Sequence, residues 1–217
     1  MNNIQMPTYE ELNYSTKSSD TLKIFIIGNS ITTHGIANEI GWNHKSGMAA
    51  STHDKDYVHL LFKQLKMQYS QKNIKLRYSN WSLFERMPNK FSNFRVVEKF
   101  KPNIVIYQLG DNTASESSEL FKKSSIRFLK PFENKFVLSP FFMSPDNFKA
   151  SKEIALKSNS TFINISSISK NKINTAAKDS NRSDVAKWTV EGISAHPGDT
   201  GMLNISNEIF RAIILKN

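Results

Sequence analysis

The chain has no cysteine. Disulfides and thiolate metal sites are therefore excluded, and the absence fits a reducing compartment. No segment approaches the roughly 18–20 consecutive apolar residues that a membrane-spanning helix needs. The stretch Met1 to Asp20 is polar and carries no apolar signal core, so no secretory signal is read and a cytoplasmic location is expected. Internal repeats and Pro- or Ser-rich linkers are also missing, and nothing in the 217 residues demands a second domain. Residues 1–20 read as a loosely docked or flexible arm, and 21–217 as one domain.

What is present is ordinary for a globular protein: 39% hydrophobic and 22% charged residues. The formal net charge is +10. Its lysines are scattered, as in Lys63, Lys66, Lys72, Lys75, Lys99, Lys101, Lys122 and Lys123, with no tight basic run and no nucleic-acid motif. We read a solvated basic surface, with no nucleic-acid partner expected. An anionic glycan or a nucleotide-linked sugar is compatible with it.

The pattern along the chain alternates strands with helices. Leu22 to Ile27 is a continuous apolar run, as a strand buried on both faces requires. Further strands are expected at Ile74–Tyr78, Ile104–Leu109, Lys135–Ser139 and Thr161–Ile165. Helical spacing marks Asp54–Gln71, Phe91–Phe100, a segment from Ser115 or Ser117 to about Leu129, Asp146–Lys157, and about Thr200–Leu215. Thr33 to Ser51 carries Gly35, Gly41 and Gly47 and reads as a long irregular loop, a kind of segment that is more often functional than idle. Residues 168–183 fit no element. Alternation of this kind implies a parallel sheet with right-handed crossovers, here a three-layer α/β/α sandwich with five parallel strands.

In such sheets, ligands collect beyond the carboxyl ends of the strands. Ser30 follows the first strand, the polar stretch Asn80 to Glu85 the second, and Asn112 the third. His196 lies in a loop before the last helix. A serine hydroxyl is a weak nucleophile until a base takes its proton, and histidine suits that task near neutral pH. A carboxamide such as that of Asn112, with backbone N–H groups, can hold an oxyanion. His34, four residues after Ser30, shares a helical face with it if a helix starts there. Trp42, on the irregular loop, can stack on a sugar ring or anchor the loop. His44, His53 and His59 form no convincing metal set with nearby acids.

Gly28-Asn29-Ser30-Ile31-Thr32, Gly110-Asp111-Asn112 and His196-Pro197, in this order and at these positions, resemble the nucleophile block, the third block and the end of the last block of the SGNH hydrolases, the GDSL-like esterase superfamily with a flavodoxin-like fold. The resemblance covers the chain from about Lys23 to the last helix. It implies Ser30 as nucleophile, His196 as base, and an oxyanion hole of Asn112 with the backbone N–H groups of Ser30 and about Glu85. It implies no cofactor and no metal. Asn29, His34 and Trp42 become candidate substrate contacts.

Two departures stand out. Glu85 occupies the place where the family has a glycine. Ile193 occupies the place, three residues before the histidine, where the family has an aspartate. Either a backbone carbonyl such as that of Ser194 orients the imidazole, or another carboxylate does, with Glu191, Asp199 and Glu85 as candidates. The resemblance further implies a serine-dependent carbohydrate O-acetyl esterase of the kind found in bacterial surface-polysaccharide pathways. An O-acetyltransferase using the same groups is the alternative. A noncatalytic glycan-binding module on a hydrolase fold is the reading from another class.

Overall fold

The computed structural model describes residues 8–90, 94–142, 144–182 and 191–216. Its centre is a sheet of six strands: β1 (Glu10–Tyr14), β2 (Thr21–Gly28), β3 (Asn73–Asn80), β4 (Ile104–Gln108), β5 (Asn134–Leu138) and β6 (Thr161–Ile163), in the spatial order β1-β3-β2-β4-β5-β6. Five strands are parallel, and β1 runs antiparallel to β3 at one edge. The expected five-stranded sheet thus gains a sixth strand from the stretch read as a flexible arm. That strand carries little apolar signal because an edge strand buries little. Leu12 and Tyr14 are its inward residues, while Glu11 pairs with Arg77 at 2.5 Å.

Alternate residues of the central strand β2 face opposite layers, as the two-residue strand period dictates. Ile24 and Ile26 meet the layer formed by Leu61 and Leu65 of α1 (Tyr57–Gln68), Ile168 of α6 (Ser166–Lys170), and Ile205 and Ile209 of α8 (Asp199–Lys216). Phe25 and Ile27 meet the other layer, which includes Val97 of α3 (Arg95–Phe100), Phe121 and Phe128 of α4 (Ser118–Leu129), and Ile154 of α5 (Pro145–Lys157). Strand β2 is therefore apolar on both sides, and its run Ile24–Ile27 is fully buried.

The crossover from β2 leads to β3 on one side, and the next returns to β4 on the other. The order reverses between β2 and β4, which opens a crevice at their carboxyl ends. Ser30 and Asn112 flank that crevice.

The loop from 33 to 51 is irregular but fixed. Bridges join His34 to Ser46 and Ala37 to Trp42. Trp42 is fully buried and lies 4.1 Å, ring to ring, from His44. Gly47 passes under the loop that carries Ser30, and a Cβ there would meet the Ile31 carbonyl oxygen at 2.4 Å. Its N–H donates to Asp56, whose buried carboxylate also accepts from the His59 N–H at the start of α1 and bonds the His59 ring. Asp56→Ala removes a helix cap and orphans Gly47, so it lowers unfolding free energy by about 2 kcal/mol. A denaturant midpoint shifted down with unchanged slope checks this.

Candidate active site

Strand β2 ends at Gly28, where a Cβ would lie 1.7 Å from Thr32 Oγ1. Only glycine lets the chain turn back this closely. The turn closes with Thr32 and Thr33 N–H groups donating to the Asn29 carbonyl, and Ile31 N–H to Asn29 Oδ1. Gly28, Asn29, Ile31 and Thr32 are buried, while Ser30 is half-buried and faces the crevice. The Met48 N–H bonds the Ser30 carbonyl at 2.7 Å and ties the long loop to the turn. Among the described residues, no acceptor is bonded to the Ser30 N–H.

From the far end of the sequence comes His196. Its loop is fastened by the Ala176 N–H donating to the His196 carbonyl and by the bridge between Thr175 and Pro197. The Ser30 Oγ lies 3.1 Å from His196 Nε2, and His196 Nδ1 lies 2.8 Å from the Gly192 carbonyl. A carbonyl can only accept, so Nδ1 carries the proton and Nε2 presents a lone pair to the serine hydroxyl. Phe142 packs edge-on against the imidazole, with centroids 4.9 Å apart. Burial, with His34 nearby, holds the His196 pKa down to about 4 against the upward pull of the Gly192 hydrogen bond. The ring is therefore a neutral base at physiological pH.

The orienting partner is thus the carbonyl of Gly192, in the short helix α7 (Glu191–Ser194), and not that of Ser194, which accepts from the Ala177 N–H. Ile193, at the position where the resemblance leads one to expect aspartate, is pinned in an apolar cluster with Met48, Ala49 and Ala176. Asp199 is committed elsewhere: its carboxylate accepts from Ser51 N–H and Oγ and from Lys55 Nζ. It does not cap α8 either; Asp179 does, accepting from Thr200 N–H and Oγ1. The side chain of Glu191 lies outside the described residues.

Glu85 sits in α2 (Ser82–Arg86), fully buried. Its backbone N–H, the expected oxyanion donor, points back to the Trp81 carbonyl at 3.4 Å. Its carboxylate is what enters the site. Oε1 accepts from Gly110 N–H at 2.5 Å, Asp111 N–H at 3.0 Å and Asn29 Nδ2 at 3.3 Å, and Oε2 from Asn112 Nδ2 at 2.6 Å. Asn29 Nδ2 also donates to Asp111 Oδ2, as does Gln108 Nε2, while Asp111 Oδ1 accepts from the Phe142 N–H. Burial first, and the neighbouring Asp111 second, raise the Glu85 pKa to about 7, opposed by Asn112, Gly110 and Asn29. Burial raises Asp111 as well.

The two candidate substrate contacts Asn29 and Trp42 are each fully buried. Asn29 stitches the nucleophile turn to two carboxylates, and Trp42 anchors its loop, so neither presents a surface to a substrate. His34 remains at the rim, its Nδ1 2.7 Å from the Gly35 carbonyl. The network contributed by Asp111, the Gly192 carbonyl and Phe142 is not visible in the sequence. Asp111 stands inside a recognised block, but nothing in that block says which way its carboxylate turns. Among the described residues, no three His, Asp or Glu side chains converge as a metal set.

No family model and no curated protein matches the sequence. Solved structures do match in shape. An alpha/beta hydrolase enzyme from the metagenome of Lake Arreo superposes with a TM-score of 0.58 at 18% identity, over 90% of this chain and 96% of its own. An acetylxylan esterase from Geobacillus stearothermophilus gives 0.55 at 17%, over 88% and 94%. A candidate GDSL-like lipase from Parabacteroides merdae gives 0.56 at 17%, over 90% and 97%. Over nearly its whole length, the chain has the α/β fold of these solved hydrolases.

Proposed function

We propose that this protein is an ester hydrolase working through a Ser30 acyl-enzyme, on a sugar that carries a small acyl group, most simply acetate, on a hydroxyl. The observation that carries the reading is the hydrogen-bonded chain Ser30 Oγ, His196 Nε2, His196 Nδ1, Gly192 carbonyl, at 3.1 and 2.8 Å. As Ser30 Oγ attacks the ester carbonyl, its proton passes to Nε2. The oxyanion is received by the Ser30 N–H and by the Asn112 Nδ2 hydrogen that Glu85 leaves free. Collapse of the intermediate breaks the ester bond, and the sugar alkoxide takes the proton from Nε2. Water then gives a proton to His196 as it attacks the acyl-enzyme; the acid leaves and Ser30 is restored. Among the described residues no carboxylate reaches Nδ1, and the pair operates as a dyad oriented by the Gly192 carbonyl.

The sugar assignment draws on fold likeness to an acetylxylan esterase and on a basic surface suited to anionic glycans. The test is acetate release from p-nitrophenyl acetate and from an O-acetylated oligosaccharide. Turnover of both, with the sugar ester preferred in kcat/KM, is expected. Activity on the aryl ester alone would reject the sugar, and acetyl transfer to an added glycan in place of water would make the protein an acyltransferase.

The pH profile carries a further expectation. The base form of His196 is the neutral ring, and its pKa lies near 4, below the usual 6.5. The steep limb of kcat/KM, about tenfold per pH unit, therefore begins only below about pH 5. A steep limb centred near 6.5 would contradict an imidazole kept neutral by its surroundings.

A further inference from the structure

Two neighbours on α2 address opposite ends of one carboxamide. Glu85 Oε2 accepts from Asn112 Nδ2 at 2.6 Å, and Arg86 Nη2 donates to Asn112 Oδ1 at 3.4 Å. The two ends of an asparagine amide are nearly equal in size, and a half-turn about its last bond exchanges them. A carboxylate only accepts and a guanidinium only donates. The exchanged amide would set oxygen against carboxylate and NH2 against guanidinium, so opposite charges at adjacent positions allow one orientation only. In it, one Nδ2 hydrogen is held by Glu85 and the other is left for an oxyanion.

Glu85 is itself immobilised. Its other oxygen takes the N–H groups of Gly110 and Asp111, which lead into Asn112, and the amide of Asn29, which precedes Ser30. One buried carboxylate thus fixes the nucleophile turn and the loop after β4 relative to each other. A carboxylate surrounded by four donors serves this end better than the hydrogen of a glycine at the same place.

We propose that Glu85 and Arg86 are positioning residues that lock the Asn112 carboxamide with its free N–H toward the oxyanion of the intermediate formed on Ser30. The inference rests on the esterase reading above. An oxyanion donor acts as negative charge develops, so a misplaced Asn112 lowers kcat and leaves KM nearly unchanged.

The test is a double-mutant cycle with Asn112→Ala, read in steady-state ester hydrolysis. Glu85→Gln keeps the size but offers an NH2 where only acceptors fit. It should lower kcat about 30-fold with KM within about twofold. Arg86 is exposed, so Arg86→Met leaves the core untouched; it should lower kcat about 5-fold, and Arg86→Lys should recover most of that. In the Asn112→Ala background each should cost less than about twofold, because the group they position is gone. Losses that multiply with Asn112→Ala, or that fall on KM, would overturn the proposal. Should Glu85→Gln fail to fold, the Arg86 arm decides it alone. Wild-type protein with neither ester turnover nor Ser30 labelling by a fluorophosphonate would sink the underlying reading, and this inference with it.

Discussion

Ser30→Ala and His196→Ala each lower kcat for ester hydrolysis by about 10⁴-fold or more, and the double variant is no slower than the worse single one. Non-additivity is expected because the two side chains act as one unit: the hydroxyl has no reactivity without the base, and the base has no proton to take without the hydroxyl. The imidazole spends its two nitrogens on Ser30 and Gly192 and lies outside the two main core clusters, so its removal leaves the fold standing. Circular dichroism and thermal melting of both variants should match wild type closely. Independent, multiplying losses would mean that the 3.1 Å contact is incidental to turnover.

The second large effect belongs to Asn112. Asn112→Ala should lower kcat by about 10²–10³-fold, the usual loss for one oxyanion donor, with KM little changed. The residual rate comes from the Ser30 N–H, which has no other acceptor among the described residues. Removing the amide also deprives the buried Glu85 of its closest side-chain donor, at 2.6 Å. Charge on Glu85 becomes harder to maintain, so its pKa, already raised to about 7, moves further up. Asn112→Asp is predicted to be worse than Asn112→Ala, because it sets a further carboxylate against Glu85, which Asp111 already crowds. Steady-state kinetics of the two variants decide the order.

The parallel core was legible because burial on both faces forces an uninterrupted apolar run, and Ile24–Ile27 and Ile104–Ile106 are such runs. That Ser30 and His196 come within 3.1 Å was foreshadowed by chain order, since a strand end and the loop before the last helix meet at one rim. The edge strand β1 escaped notice because half-burial demands only Leu12 and Tyr14 from it. The orienting carbonyl could not be chosen from sequence: backbone acceptors are chemically alike, and only the path of α7 separates Gly192 from Ser194. Asn29 and Trp42, candidate substrate contacts by position, both turn inward, and for a common reason. A polar or aromatic residue near a nucleophile is drawn equally well by a substrate and by the protein's own buried groups. Here two carboxylates claimed Asn29, and the packed interior of the loop claimed Trp42. Glu85 broke an expected pattern, and the break marks a buried carboxyl group held by four donors.

The most direct measurement is covalent. A fluorophosphonate incubated with the native protein at neutral pH, followed by intact mass and peptide mapping, reports whether one hydroxyl is activated. A single adduct on Ser30 is expected, absent in Ser30→Ala and formed orders of magnitude more slowly in His196→Ala. Ester turnover with no adduct, or an adduct on another residue that abolishes activity while Ser30 stays free, would contradict it.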